Sequence, residues 1–92
     1  MRSVKQTSAF KRDLKKESKG SGWQATNQEL YDVVALLASD TQLPENYKDH
    51  ALTGNWKGYR ECHIRPDLLL VYFKRSSDIL YLARLGSHSE IF

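Results

Sequence analysis

One cysteine, one methionine and two prolines stand among 92 residues, and no apolar run exceeds Leu68–Phe73. The lone thiol, Cys62, excludes an intramolecular disulfide and any zinc framework built from several cysteines, and it fits a reducing compartment. A run of that length is far short of the roughly 20 residues that span a bilayer. The N-terminus has no apolar core of the kind a secretory leader needs. A cytoplasmic protein without membrane contact is therefore expected. Internal repeats and low-complexity segments are missing too. A chain this short buries only about 60–65% of its unfolded surface, which allows one core and a single domain over residues 1–92. With 40% hydrophobic and 27% charged residues, it has the composition of a folded globular protein.

The net charge of +3 hides an asymmetry. Residues 1–20 hold seven bases (Arg2, Lys5, Lys11, Arg12, Lys15, Lys16, Lys19) against Asp13 and Glu17, a balance of +5 that leaves −2 for the remainder. Such a block suits a polyanion, because lysines that neutralise phosphates release counterions. It suits a solvated helix face equally well.

Residues 2–6 read as a short strand. Thr7 or Ser8 is placed to cap a helix carrying Phe10 and Leu14 at i,i+4 spacing, and Gly20 supplies a stop. Ser21 to Thr26 read as a polar connector around Trp23. Asn27 would then cap a second helix whose Leu30, Val33, Val34 and Leu37 follow the spacing of a core-facing stripe. Ser39 to His50, with Pro44, reads as an ordered loop.

From Trp56 onward the pattern is that of strands. Arg65-Pro66-Asp67-Leu68 suits a type I turn, which would pair Ile64 with Leu69, Cys62 with Val71 and His63 with Leu70. Cys62, Ile64, Leu69, Val71 and Phe73 would then face the helices. Tyr59, Glu61, His63, Leu70, Tyr72 and Lys74 would line the other face. A last strand covers Ile79 to Leu85. An odd loop through Ser76-Ser77-Asp78 would pair Leu70 with Arg84 and bring the arginine to the His63 face, sparing it burial without a partner. The expected order is β-α-α-β-β-β, an α+β domain with two helices on one side of a mainly antiparallel sheet.

The three histidines, His50, His63 and His88, all fall in the strand-rich half. Each alone reads most simply as a solvated side chain, and Asp67 as ordinary turn chemistry. Together with Arg84 they supply what RNA cleavage by proton transfer requires. One group must act as base toward the 2′-hydroxyl, one as acid for the leaving 5′-oxygen, and a cation must meet the pentavalent phosphate. No short metal-ligand spacing links them, so neither a metal site nor a cofactor is expected. Tyr59, Tyr72, Lys48 and Lys57 are candidates for base stacking and phosphate contact. Trp56 and Cys62 are expected to pack.

The segment from Tyr47 to Tyr72, with its D-H-x-L-x-G-x-W and H-I-x-P-D patterns, resembles the signature of YafQ-type toxins in the RelE superfamily. The ending R-x-G-x-H-x-x-x-F, Arg84 to Phe92, is similar to their C-terminus. Thr7 to Lys15 resembles the first helix of the wider RelE/ParE group. Leu68 departs from the pattern, since a tryptophan can stand there in relatives. The resemblance implies a ribosome-dependent endoribonuclease that cuts mRNA without a metal and is neutralised by a co-expressed antitoxin. It also implies functional positions at His50, His63, Asp67, Arg84, His88 and Phe92, the last in RNA binding. A gyrase poison of the ParE type and a non-catalytic RNA-binding module are the alternatives; three histidines with an arginine have no evident use in gyrase binding.

Overall fold

The computed structural model describes all of residues 1–92. Strand β1 (Ser3–Gln6) leads into helix α1 (Ser8–Glu17) through Thr7, whose hydroxyl accepts from the Phe10 N–H at 3.1 Å and donates to the Ala83 carbonyl at 2.8 Å. One side chain thus caps the helix and ties it to the sheet, and Phe10 is buried beneath it. Helix α2 (Trp23–Ala38) starts four residues before the expected Asn27. Gly22 sits before it at φ +74, a left-handed turn open to a residue without Cβ. That turn brings Trp23 against the core, where the sequence suggested only a connector.

After short 3-10 turns at Glu45–Tyr47 and Gly54–Trp56 and the two-residue strand β2 (His50–Ala51) come β3 (Arg60–Arg65), β4 (Leu68–Lys74) and β5 (Ile79–Gly86). The sheet order is β1-β5-β4-β3-β2. Only the β1/β5 pair is parallel. A short C-terminal helix, α3 (His88–Ile91), closes the chain. The α+β class and main order are as expected. Strand β2 and helix α3 are additions the sequence did not announce.

The register differs from expectation by two bulges. Arg65 pairs with Leu68 at the turn as anticipated, but a shift between His63 and Arg65 leaves Ile64 without a partner. Beyond it His63 faces Leu69, Cys62 faces Leu70 and Glu61 faces Val71. A one-residue slip turns every later side chain over. Leu70 and Tyr72 therefore join Cys62 and Ile64 in the helix-covered core, and Leu69 and Val71 move to the opposite face. A second shift, at Ala83, moves the β4/β5 register from Tyr72↔Leu82 to Val71↔Arg84. The two shifts offset each other in parity. Arg84 pairs with Val71 rather than Leu70, yet still falls in the row that contains Glu61.

The main core packs Val33, Leu70 and Leu80 at zero exposure under α1 and α2. Each such burial is worth about 1.5–3 kcal/mol. The other face is not an open polar surface: Leu69, Val71, Ala83 and Ile91 form a second small core under Leu52, Trp56, Tyr59 and Phe73. No helix is long and apolar enough to cross a membrane.

Candidate active site

Lys48, in a left-handed conformation at φ +53, precedes strand β2. His50 pairs with Glu61 across β3. Its Nδ1 lies 2.7 Å from the Lys48 carbonyl oxygen, and its Nε2 lies 3.0 Å from Glu61 Oε2. A carbonyl only accepts, so the ring proton sits on Nδ1. Glu61 is the one buried charged residue, and its Oε1 has no partner. Behind this pair, Asp49 accepts from the Tyr72 hydroxyl at 2.6 Å and from Arg60 Nε and Nη2 at 3.3 Å each.

Tyr72 was a candidate for stacking on RNA. It is 1% exposed in the helix-side core, because the bulge at Ile64 turned it inward, and its hydroxyl is taken by Asp49. Tyr72 is therefore a packing residue. Cys62, also fully buried, has its thiol pushed up to about 12 by desolvation.

The strand pairs line up His50, Glu61, Val71 and Arg84 in one row across β2, β3, β4 and β5. His63 belongs to the next row with Leu69 and Gly86. Three strand spacings separate the backbones of His50 and Arg84, roughly 14 Å. Arg84 does not turn its whole guanidinium to the histidines. Its Nε and Nη2 donate to Asp13 of α1 at 2.7 and 3.3 Å. That hydrogen bond raises its pKa further against partial burial.

His88 opens α3, with its ring 5.0 Å from that of Phe92. Phe92 lies 5.5 Å from Trp56, which meets Tyr59 edge-on at 5.1 Å, and the row of rings continues to Phe73 and Tyr81. Trp56 packs, as expected. Asp67 lies exposed in the turn between β3 and β4, and no hydrogen bond or ion pair joins it to a histidine. His63 lines a cleft of about 360 Å³ with Glu29, Asn46, Lys48 and Arg65. Lys48 and Lys57 are exposed and Tyr59 is half-buried. A larger cleft of about 680 Å³, between α1 and α2, contains none of the candidate residues. The chain gathers no group of three or more His, Cys, Asp or Glu side chains arranged to hold a metal.

Sequence reasoning missed Glu61, Asp49 and Asp13 as partners. A signal existed for Glu61, which alternates with His63 in the run Arg60-Glu61-Cys62-His63. None existed for Asp13, which is 71 residues from Arg84.

Comparison with known proteins gives the class first. A family model described as a bacterial toxin of type II toxin-antitoxin systems, YafQ, matches residues 2–92, so the chain is a toxin of such a system. It belongs to the YafQ family, consistent with the wider RelE-like fold. The mRNA interferase toxin YafQ of Escherichia coli strain K12 is 34% identical over 91 residues, 99% of this chain and 96% of that protein. A metal-bound toxin from Helicobacter pylori is 45% identical, with full coverage of both chains and a TM-score of 0.89. YafQ in the E. coli DinJ-YafQ toxin-antitoxin complex is 34% identical, covering 99% of this chain and 97% of that one, with a TM-score of 0.82.

Proposed function

We propose that this toxin is an endoribonuclease that cuts mRNA on the ribosome, blocks translation in the cytoplasm, and is held inactive by a cognate antitoxin. The observation that carries this reading is the row His50–Glu61–Val71–Arg84 with His63 beside it, which sets proton carriers and a cation on one sheet face. The name mRNA interferase borne by its E. coli relative supports the activity. The DinJ-YafQ complex supports the partner.

In the proposed reaction His50 removes the proton from the 2′-hydroxyl, and the 2′-oxygen attacks the adjacent phosphorus. The bond from phosphorus to the 5′-oxygen breaks as His88 gives that oxygen a proton. The products are a 2′,3′-cyclic phosphate, which water opens to a 3′-phosphate, and a free 5′-hydroxyl. Arg84 stabilises the charge on the pentavalent phosphate. His63 and Asp67 orient the substrate or share the proton transfer. Glu61 holds His50 in one ring orientation. Lys48 and Lys57 contact the RNA backbone, and Tyr59 and Phe92 offer ring faces to bases.

Brief induction in growing cells, followed by mapping of new RNA 5′ ends, tests this reading. Cuts inside translated frames are expected. An intact message pool with DNA damage would point instead to a gyrase poison.

A further inference from the structure

Helix α1 touches the candidate site at two points one helical turn apart. Asp13 accepts from Arg84 Nε at 2.7 Å and Nη2 at 3.3 Å, and from the Leu85 backbone N–H at 2.9 Å. Lys16 pairs with Glu90. Glu90 also accepts from the Ser87 backbone N–H at 2.9 Å and so closes the cap of α3. Residues three apart share a helix face. One turn of α1 thus grips both β5 and α3.

We propose that Asp13 and Lys16 are positioning residues of the site. Asp13 presents Arg84 with its Nη1, which has no hydrogen bond within the chain, free for an anionic oxygen. Lys16 holds α3 where His88 meets Phe92. This inference rests on the ribonuclease reading for its purpose, while the two grips stand on geometry alone.

The physical need for each grip is clear. Arginine has a long stem with many rotamers, and a carboxylate that takes Nε and Nη2 together fixes the plane of the guanidinium. Helix α3 is a single turn, too short to persist by itself, so its place must come from tertiary contacts. The Lys16 hydrogen bond is the first cause that holds the Glu90 carboxyl down to about 2, followed by the Ser87 N–H. Helix α1 itself is anchored elsewhere, through buried Phe10 and through the Thr7 backbone and side-chain bonds to Leu82 and Ala83. Changes at residues 13 and 16 therefore leave the helix in place.

Asp13→Asn separates the positioning role from a structural one, because an asparagine oxygen still accepts the Leu85 N–H while the charge on Arg84's partner is gone. Two measurements on the full chain decide the matter: nitrogen–proton spectra that follow the Arg84 Nη2–H and the amides of Ile91 and Phe92, and single-turnover cutting of mRNA on ribosomes. Asp13→Asn keeps the oxygen that accepts both Leu85 N–H and Arg84 Nε–H and puts an amide NH2 against Arg84 Nη2, so it is expected to expose the Arg84 Nη2–H to exchange and to slow cutting by up to about a hundredfold, the scale of a small misplacement. It should slow Arg84→Ala no further. Lys16→Met is expected to speed exchange at Ile91 and Phe92, leave the Arg84 signal alone, and add nothing to His88→Ala. An unchanged Arg84 signal in Asp13→Asn, or rate losses that multiply in the double variants, overturns the proposal. If the unaltered protein leaves RNA intact, the ribonuclease reading fails. The spectra then decide the grips alone, and unchanged signals in both variants overturn them.

Discussion

His50 Nε2 lies 3.0 Å from Glu61 Oε2, and Glu61 is buried with its second oxygen unpartnered. A carboxylate in that state is an expense of folding that its contact with His50 explains. Glu61→Gln should slow RNA cutting by roughly a hundredfold, the scale of impaired proton transfer. Glu61→Met should do the same and also raise stability by about 1 kcal/mol, because it removes a buried oxygen without a partner. Thermal unfolding and single-turnover rates check this. A Glu61→Met protein that melts lower than its parent would show that the carboxylate is structural.

Tyr72 tests the corrected register. Its hydroxyl donates to Asp49 at 2.6 Å inside the helix-side core. Tyr72→Phe should cost about 1.5–3 kcal/mol of stability, the range for a bond to a charged acceptor. RNA affinity should stay as it was. Lys48→Ala and Lys57→Ala should do the reverse, weakening binding with a shallower salt dependence while leaving the melting point alone. Loss of affinity in Tyr72→Phe at unchanged stability would contradict the face assignment.

The elements with local causes were legible. Thr7 capping, the Phe10 and Leu14 pair and the stripe from Leu30 to Leu37 all act within a turn or two of chain. The bulges were not, because their reasons are distant: the Ala83 carbonyl is satisfied by Thr7, 76 residues away. Where β1 ends, α1 takes over the edge of β5 through Thr7 and Asp13. The sequence carries no mark of that exchange. The face of Arg84 was nonetheless anticipated, since two one-residue shifts cancel in parity. The burial of Tyr72 was missed because only the first shift acts on it. Helix α3 escaped notice because a four-residue helix has no periodicity, and Lys16 reaches Glu90 from the far end of the sequence.

The C-terminal turn should loosen in acid. Glu90 has its pKa lowered from 4.5 to about 2, first by the Lys16 hydrogen bond. A depressed carboxyl adds stability that is complete above its unfolded value and is lost as pH falls through the folded one. The Ile91 and Phe92 amides should therefore lose protection between pH 4.5 and about 2, with a change in Trp56 fluorescence as Phe92 leaves it. Lys16→Met should begin that transition at higher pH. Protection that is flat across the window in both proteins would show that α3 is held by Ile91 burial instead.

The central claim is that the side chains on this sheet face drive attack by a neighbouring 2′-hydroxyl. The most direct measurement compares an mRNA with its counterpart carrying a single 2′-deoxy sugar at the cut site, both on programmed ribosomes, with the product ends identified. The account predicts that the ribose message is cut to a 2′,3′-cyclic phosphate or 3′-phosphate and a 5′-hydroxyl. The deoxy message should stay whole, and Arg84→Ala and His88→Ala should each slow cutting by roughly a hundredfold or more. Equal cutting of the deoxy message, or products ending in a 5′-phosphate, would contradict it.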